Sequence, residues 1–165
     1  PDIVTLGKSI GNGHPLSVVV TSEELSDEFN NGMEYFNSFG GNPVSCAIGH
    51  AVLNVIEEEE LQKNAFTVGS KLKSLLNELK SLHDIVGDVR GKGLFLGIEI
   101  IKDLATLDPY QKMTHKIVNE MRNKGILLSS DGPDHNVIKI KPPMVFSSAN
   151  ALFLVETLDK ILSKK

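Results

Sequence analysis

The chain has a single cysteine, Cys46, and no tryptophan; its aromatics are seven Phe and two Tyr in 165 residues. A lone cysteine excludes an internal disulfide framework and suits a reducing compartment. Neither sign of charge dominates: 17 Lys and Arg stand against 21 Asp and Glu, interspersed, for a net charge of −4. That leaves no electrostatic footprint for nucleic acid, and the sparse aromatics offer no platform for stacking bases. No apolar run approaches the length of a membrane span, and no stretch reads as a secretory signal. The 41% of hydrophobic residues is globular composition, enough for one ordinary domain with a real core. The abrupt opening "PDIVTLG" reads as the inside of a longer protein, and "LDKILSKK" as a charged terminus.

What is present begins with "TLGKSIGNGHPL", Thr5 to Leu16. Gly7-Lys8-Ser9 has the look of the end of a phosphate-binding P-loop. That motif needs a Gly five positions before the Gly-Lys and a helix after it. The first position is Asp2, and Ile-Gly-Asn-Gly-His-Pro follows Ser9, which is loop chemistry. The P-loop reading therefore fails.

Hydrophobic patterning predicts an α/β chain. Ile3 to Leu6 reads as a short buried strand and Leu16 to Ser22 as a second, β-branched one. "EELSDEF" reads as a short helix or turn. Asn42-Pro43 is a strong helix start, with Asn as cap and Pro at the first helical position. The helix that follows is apolar round much of its circumference and is expected to be buried. A further helix is predicted from about Leu61 to Leu82, with Leu72, Leu75, Leu76 and Leu79 at helical spacing. From His83 the pattern becomes ββαββα. "DIVGDVRGKGLFLGIEII" reads as an antiparallel pair turning at Arg90-Gly91-Lys92-Gly93. A helix runs from Asp108-Pro109 to Gly125. Two short strands flank Asp131-Gly132-Pro133 and stop at Pro142-Pro143, and an amphipathic helix spans Ser147 to Ser163. The expected division is 1–82, the end of a larger domain, and 83–165, a small C-terminal domain.

Among residues able to do chemistry, none of the five His shares a zinc-ligand spacing. His50, His83, His115 and His135 read as solvated or hydrogen-bonded, and Glu57 to Glu60 as a solvated helix end. His14 differs because it shares the loop after Lys8. A Lys ending a buried strand among glycines would be partly desolvated. Desolvation lowers an amine's pKa and raises its nucleophilic fraction, as Schiff-base chemistry needs. On spacing alone, a snorkelling surface Lys explains Lys8 as well.

"PDIVTLGKSIGNGHPL", "YFNSFGGNPVSCAIGHAVLNVIEEEEL" and "VRGKGLFLGIEI" together resemble the class III (ω-) aminotransferases, pyridoxal phosphate (PLP) enzymes of the type I fold. The resemblance spans the whole chain but only the C-terminal part of such an enzyme. It implies that Lys8 is the lysine forming the Schiff base with PLP. Ser38 matches a position usually held by Thr, whose hydroxyl reaches the PLP phosphate of the partner subunit. The full protein is then a homodimer with shared active sites. Gly40, Gly41 and Asn42 match the turn into the next helix, and Arg90 matches a residue with a structural role in the small domain. The Asp, aromatic and phosphate loop that complete the family's PLP site lie upstream, so these residues alone are expected to be inactive.

Many members carry an Arg before the late Pro-Pro, paired bidentately with the substrate's α-carboxylate. Lys139 stands there in "VIKIKPPM", a point charge in place of a fork. "EYFNSFGGNPVSCAIGH" and "DGPDHNVIKIKPPM" resemble one subgroup in particular, the ethanolamine-phosphate and 5-phosphohydroxylysine phospho-lyases. Their substrates have no carboxylate on the amine-bearing carbon. The resemblance thus implies elimination of phosphate from an amino phosphate, with ω-transamination as the alternative and a non-catalytic assembly domain as a reading of another class. Lys139 and His14 are the candidate substrate contacts. Strand alternation places Lys141 on the same face as Lys139, which leaves open which one reaches in. A cytoplasmic location, or a mitochondrial one in a eukaryote, follows from the same resemblance.

Overall fold

A computed structural model describes residues 1–164. They fall into two compact units, divided between Glu60 and Leu61.

The first unit begins with β1 (Ile3–Leu6) and β2 (Val18–Thr21), paired antiparallel with Ile3 opposite Thr21. Between them lies a single 3-10 turn, Lys8–Ile10. Then come α1 (Glu23–Phe29) and α2 (Pro43–Glu58). The Ser22 hydroxyl accepts from the Leu25 N–H at the start of α1. Asn42 accepts from both Val44 and Ser45 N–H, and Pro43 follows it, as the sequence predicts.

Burial in this unit departs from expectation. All four residues of β1 are exposed, and within α2 only Gly49 is buried. A two-stranded sheet has no second layer of its own to cover it. Apolar side chains therefore stay in solvent: Val44 is 65% exposed, Leu53 51%, and Phe36 and Phe39 80% and 82%. The apolar composition of β1 and α2 is a demand for partners that residues 1–60 do not meet by themselves.

The second unit has a closed core. Its elements are α3 (Leu61–Leu82), β3 (Val86–Lys92), β4 (Phe95–Ile100), α4 (Gln111–Asn123), β5 (Ser129–Asp131), β6 (Val137–Ile140) and α5 (Ser148–Leu162). The strands form one antiparallel sheet in the order β3-β4-β6-β5. On one face, Val89, Leu96, Ile98, Ile100, Ile138 and Ile140 are buried. Leu72, Leu76 and Leu79 of α3, Ile117 and Met121 of α4, and Leu154 and Leu158 of α5 join them in one cluster. The periodic leucines of α3 are thus core residues of the second unit. Packing divides the chain before α3, whereas the sequence pattern divides it after.

Two local features fix how α3 meets the sheet. A side chain at Gly69 would collide with the carbonyl of Gly93, in the β3–β4 turn. Asn64 Nδ2 donates to the carbonyls of Met144 (2.7 Å) and Phe146 (3.1 Å), tying the first turn of α3 to the loop after β6. The predicted end of α4 and start of α5 hold, but α4 begins at Gln111 and not at Asp108-Pro109, because Pro109 is bridged antiparallel to Ile101. Gly125, at φ +84, lies just beyond α4, and Ser147 opens α5 with a reciprocal capping box to Asn150.

Candidate active site

The candidate residues lie in both units. In the first, Lys8 follows directly on the strand end and Gly7. Its backbone is in the left-handed region, φ +50, unusual for a residue with a side chain. The Gly11 N–H donates to the Lys8 carbonyl and His14 N–H to the Gly11 carbonyl, which curls Lys8 to His14 into a compact loop. A side chain at Gly11 would collide with the His14 carbonyl, so the curl requires glycine there. Lys8 is exposed, not shielded as a buried strand end would make it, because β1 itself is uncovered. Its ammonium has no hydrogen-bond or ion-pair partner among the described residues.

His14, a candidate substrate contact, is already engaged. Its Nε2 lies 2.9 Å from Ser45 Oγ, in the first turn of α2. The pair ties the Lys8 loop to the helix that Asn42 caps. Ser38 is exposed in the turn between Asn37 and Gly40. Asn37 Oδ1 accepts from the N–H groups of Phe39 and Gly40, and Gly41 has φ +69. The turn presents the Ser38 hydroxyl outward, without a partner among the described residues.

A primary amine and a hydroxyl, both exposed and unengaged, fit the two ends of PLP: the aldehyde that takes an amine and the phosphate that takes hydrogen bonds. The remaining contacts such a ring requires are not supplied by these two residues.

In the second unit the outer face of the sheet carries charge. Register places Asp88, Glu99, Val137 and Asp131 in one row across the strands. Arg90, Gly97, Lys139 and Ser129 form the next. The Arg90 guanidinium donates to both Asp88 (2.9 Å) and Glu99. Its hydrogen bond holds the Asp88 carboxyl below the usual range, and the Glu99 and Asp88 carboxylates hold Arg90 above its own. Arg90 is an ion-pair hub of β3 and β4, in line with the structural role that the resemblance implies.

Lys139 donates to a single carboxylate, Asp131. The lysine lowers the Asp131 pKa, helped by the Gly132 N–H that donates to Asp131 Oδ1 at 2.9 Å. Lys139 and Asp131 line a cavity of about 440 Å³ together with Arg90, Phe95, Gly97 and Val137. Lys141 does not share it. Strand β6 ends at Ile140, and Pro142 and Pro143 cannot extend its ladder. Alternation therefore does not carry through, and Lys141 lines a separate cavity with Leu128, Pro143 and Phe153. Asp131, which the sequence shows only as part of a turn, is the residue that sequence reasoning passed over. Its link to Lys139 depends on the β5–β6 register.

The chain is similar to proteins of known chemistry. It is 51% identical over 153 residues to a Drosophila melanogaster protein named alanine–glyoxylate aminotransferase 2-like, covering 92% of this chain and 31% of that one. It is 44% identical over 164 residues to Caenorhabditis elegans ethanolamine-phosphate phospho-lyase homolog 1, covering 99% and 35%. Among solved structures, an Arthrobacter phospholyase in complex with phosphoethanolamine superposes with a TM-score of 0.95 at 41% identity, over 100% of this chain and 39% of that one. A PLP-bound amine transaminase from an uncultivated Pseudomonas species matches at 0.86 and 30%, over 99% and 38%. The chain thus spans about a third of the length of these curated relatives. The class-III aminotransferase family model matches residues 1–162, and the chain belongs to that family.

Proposed function

We propose that the full-length protein is a PLP-dependent phospho-lyase that eliminates phosphate from a small amino phosphate such as phosphoethanolamine. The observation that carries this reading is the superposition, over the whole chain, on a phospholyase holding that compound. Lys139 at the position of the family's carboxylate-binding Arg supports it. A substrate with a phosphate and no carboxylate has no use for a guanidinium fork but keeps its need for positive charge.

In this reading Lys8 holds the cofactor through its Nζ, and Ser38 donates its hydroxyl to the cofactor phosphate across the dimer interface. PLP supplies the electron sink that makes the proton on the amine-bearing carbon removable. Once the substrate amine has taken its place, Lys8 Nζ is the base that removes that proton. Lys139 stabilises the phosphate as its bond to the neighbouring carbon breaks and it leaves with the electron pair. One water would then hydrolyse the carbon–nitrogen bond, supplying the oxygen of the aldehyde product and releasing ammonia.

The Drosophila relative's name favours a second reading, transamination. There Lys8 Nζ would hand the proton on instead of leaving it to an elimination, and the amino group would pass to a keto acid. Phosphate release from phosphoethanolamine with no keto acid present supports the lyase, and strict dependence on a keto acid supports the transaminase. The protein would work in the cytoplasm or, as the name of an Arabidopsis thaliana relative suggests, in mitochondria.

Sharing of Ser38 between subunits is tested by mixing full-length Ser38→Ala and Lys8→Ala protomers. Each mixed dimer then carries one wholly damaged site and one intact site. Activity is expected to recover well above that of either parent. Absence of recovery despite demonstrated subunit exchange would place Ser38 in its own subunit's site or in none.

A further inference from the structure

Arg90 and Lys139, both on the outer face of the sheet, are not equivalent. Arg90 is pinned by two carboxylates from two strands, Asp88 and Glu99. Lys139 has one partner among the described residues, Asp131. Asp131 Oδ1 is fastened by the Gly132 N–H, in a turn where Gly132 adopts φ +83. Lys139 reaches diagonally from the next row, its side chain 32% exposed against 55% for Asp131. Gly97, directly opposite Lys139 on β4, contributes no side chain to the floor between Lys139 and Arg90, and Val137 Cγ1 leans against it, 3.1 Å from where a Cβ would stand. The cavity over that floor, about 440 Å³, has room for a phosphate and a short carbon chain.

A carboxylate paired with the lysine at the edge of such a cavity competes with any anion that comes to the lysine. We propose that Asp131 is an internal competitor for the anion that Lys139 takes up, exchanging with phosphate when it binds and reclaiming the lysine when phosphate leaves. This rests on the assignment of Lys139 to the substrate's phosphate. It adds a residue outside the reacting groups that sets how tightly phosphate is held and how readily it departs. An anion on Lys139 must either break the pair or lie beside a carboxylate of its own sign, and both weaken binding.

The experiment uses the full-length protein and inorganic phosphate as the probe, with the dissociation constant measured by calorimetry in wild type, Asp131→Asn, Lys139→Gln and the double variant. Asparagine keeps the acceptor for the Gly132 N–H, so the turn is retained. Asp131→Asn is expected to tighten phosphate about three- to fivefold, the range of a partly exposed ion pair. Lys139→Gln weakens it, and in the double variant the gain disappears. Unchanged or weaker phosphate binding in Asp131→Asn would overturn the proposal and make Asp131 a residue that merely orients Lys139. A gain that persists without Lys139 would overturn it too. Turnover of phosphoethanolamine is scored separately. If the enzyme proves a transaminase while the exchange pattern holds, the functional reading falls and the exchange stands. If the lyase activity is present and Asp131→Asn changes nothing, the reverse applies.

Discussion

Replacing Lys8 by Ala in the full-length protein should lower turnover by on the order of 10⁴-fold, the scale set by loss of a positioned acid–base group. The cofactor should bind without covalent attachment. Borohydride reduction of the wild-type protein, followed by peptide mapping, should place the pyridoxyl group on Lys8 and on no other lysine. Three features converge on this residue. It has a left-handed backbone that sets it at the turn after β1. Its loop is held to α2 through His14 and Ser45. Its amine is not engaged by any described neighbour. Label on a different lysine, or a Lys8→Ala protein that still reduces to a labelled adduct, would remove Lys8 from the role.

The second large effect concerns folding. A fragment of residues 61–165 should fold cooperatively, whereas residues 83–165 should not. The sequence pattern favours the shorter fragment, because its two hairpins and two helices look sufficient for a core. The packing of α3 argues for the longer one. Leu72 and Leu76 of α3 are completely buried, and Val68 and Leu79 nearly so, in the same cluster as the sheet's inner face. Truncating one buried Leu costs about 2–5 kcal/mol, against a total stability of about 5–15 kcal/mol for a domain. Deleting all four side chains together with the helix that carries them exceeds what remains. Circular dichroism and denaturant titration decide it: a sigmoidal transition for residues 83–165 would show that α3 is dispensable.

Local signals were legible in the sequence because their physics is local. Asn42-Pro43, Gly125 and Ser147 mark helix ends through hydrogen bonds and backbone freedom within a few residues. The Lys8 loop could be separated from a P-loop by its glycines and by the absence of a following helix. Burial was not legible in the same way. The apolar pattern of β1 and α2 shows which side chains seek cover, but cover depends on chain segments that residues 1–60 do not contain. The placement of α3 likewise rests on contacts with β3 and α5, distant in sequence. Asp131 illustrates the same limit at the candidate site. Its composition signals a turn, and only the pairing of β5 with β6 in register brings its carboxylate to Lys139. Lys141 looked equivalent to Lys139 by alternation, and the equivalence ended with the strand at Ile140.

We propose that the full-length protein eliminates phosphate from an amino phosphate, with Lys8 as base and Lys139 neutralising the leaving group. The most direct test incubates purified full-length protein, loaded with PLP, with phosphoethanolamine and no keto acid. Inorganic phosphate and ammonia are then measured together. Their release is expected in equal amounts over many turnovers, with little release from Lys139→Ala. If turnover appears only when pyruvate or another keto acid is supplied, and yields the matching amino acid without phosphate, the protein is an aminotransferase and the reading of Lys139 is wrong.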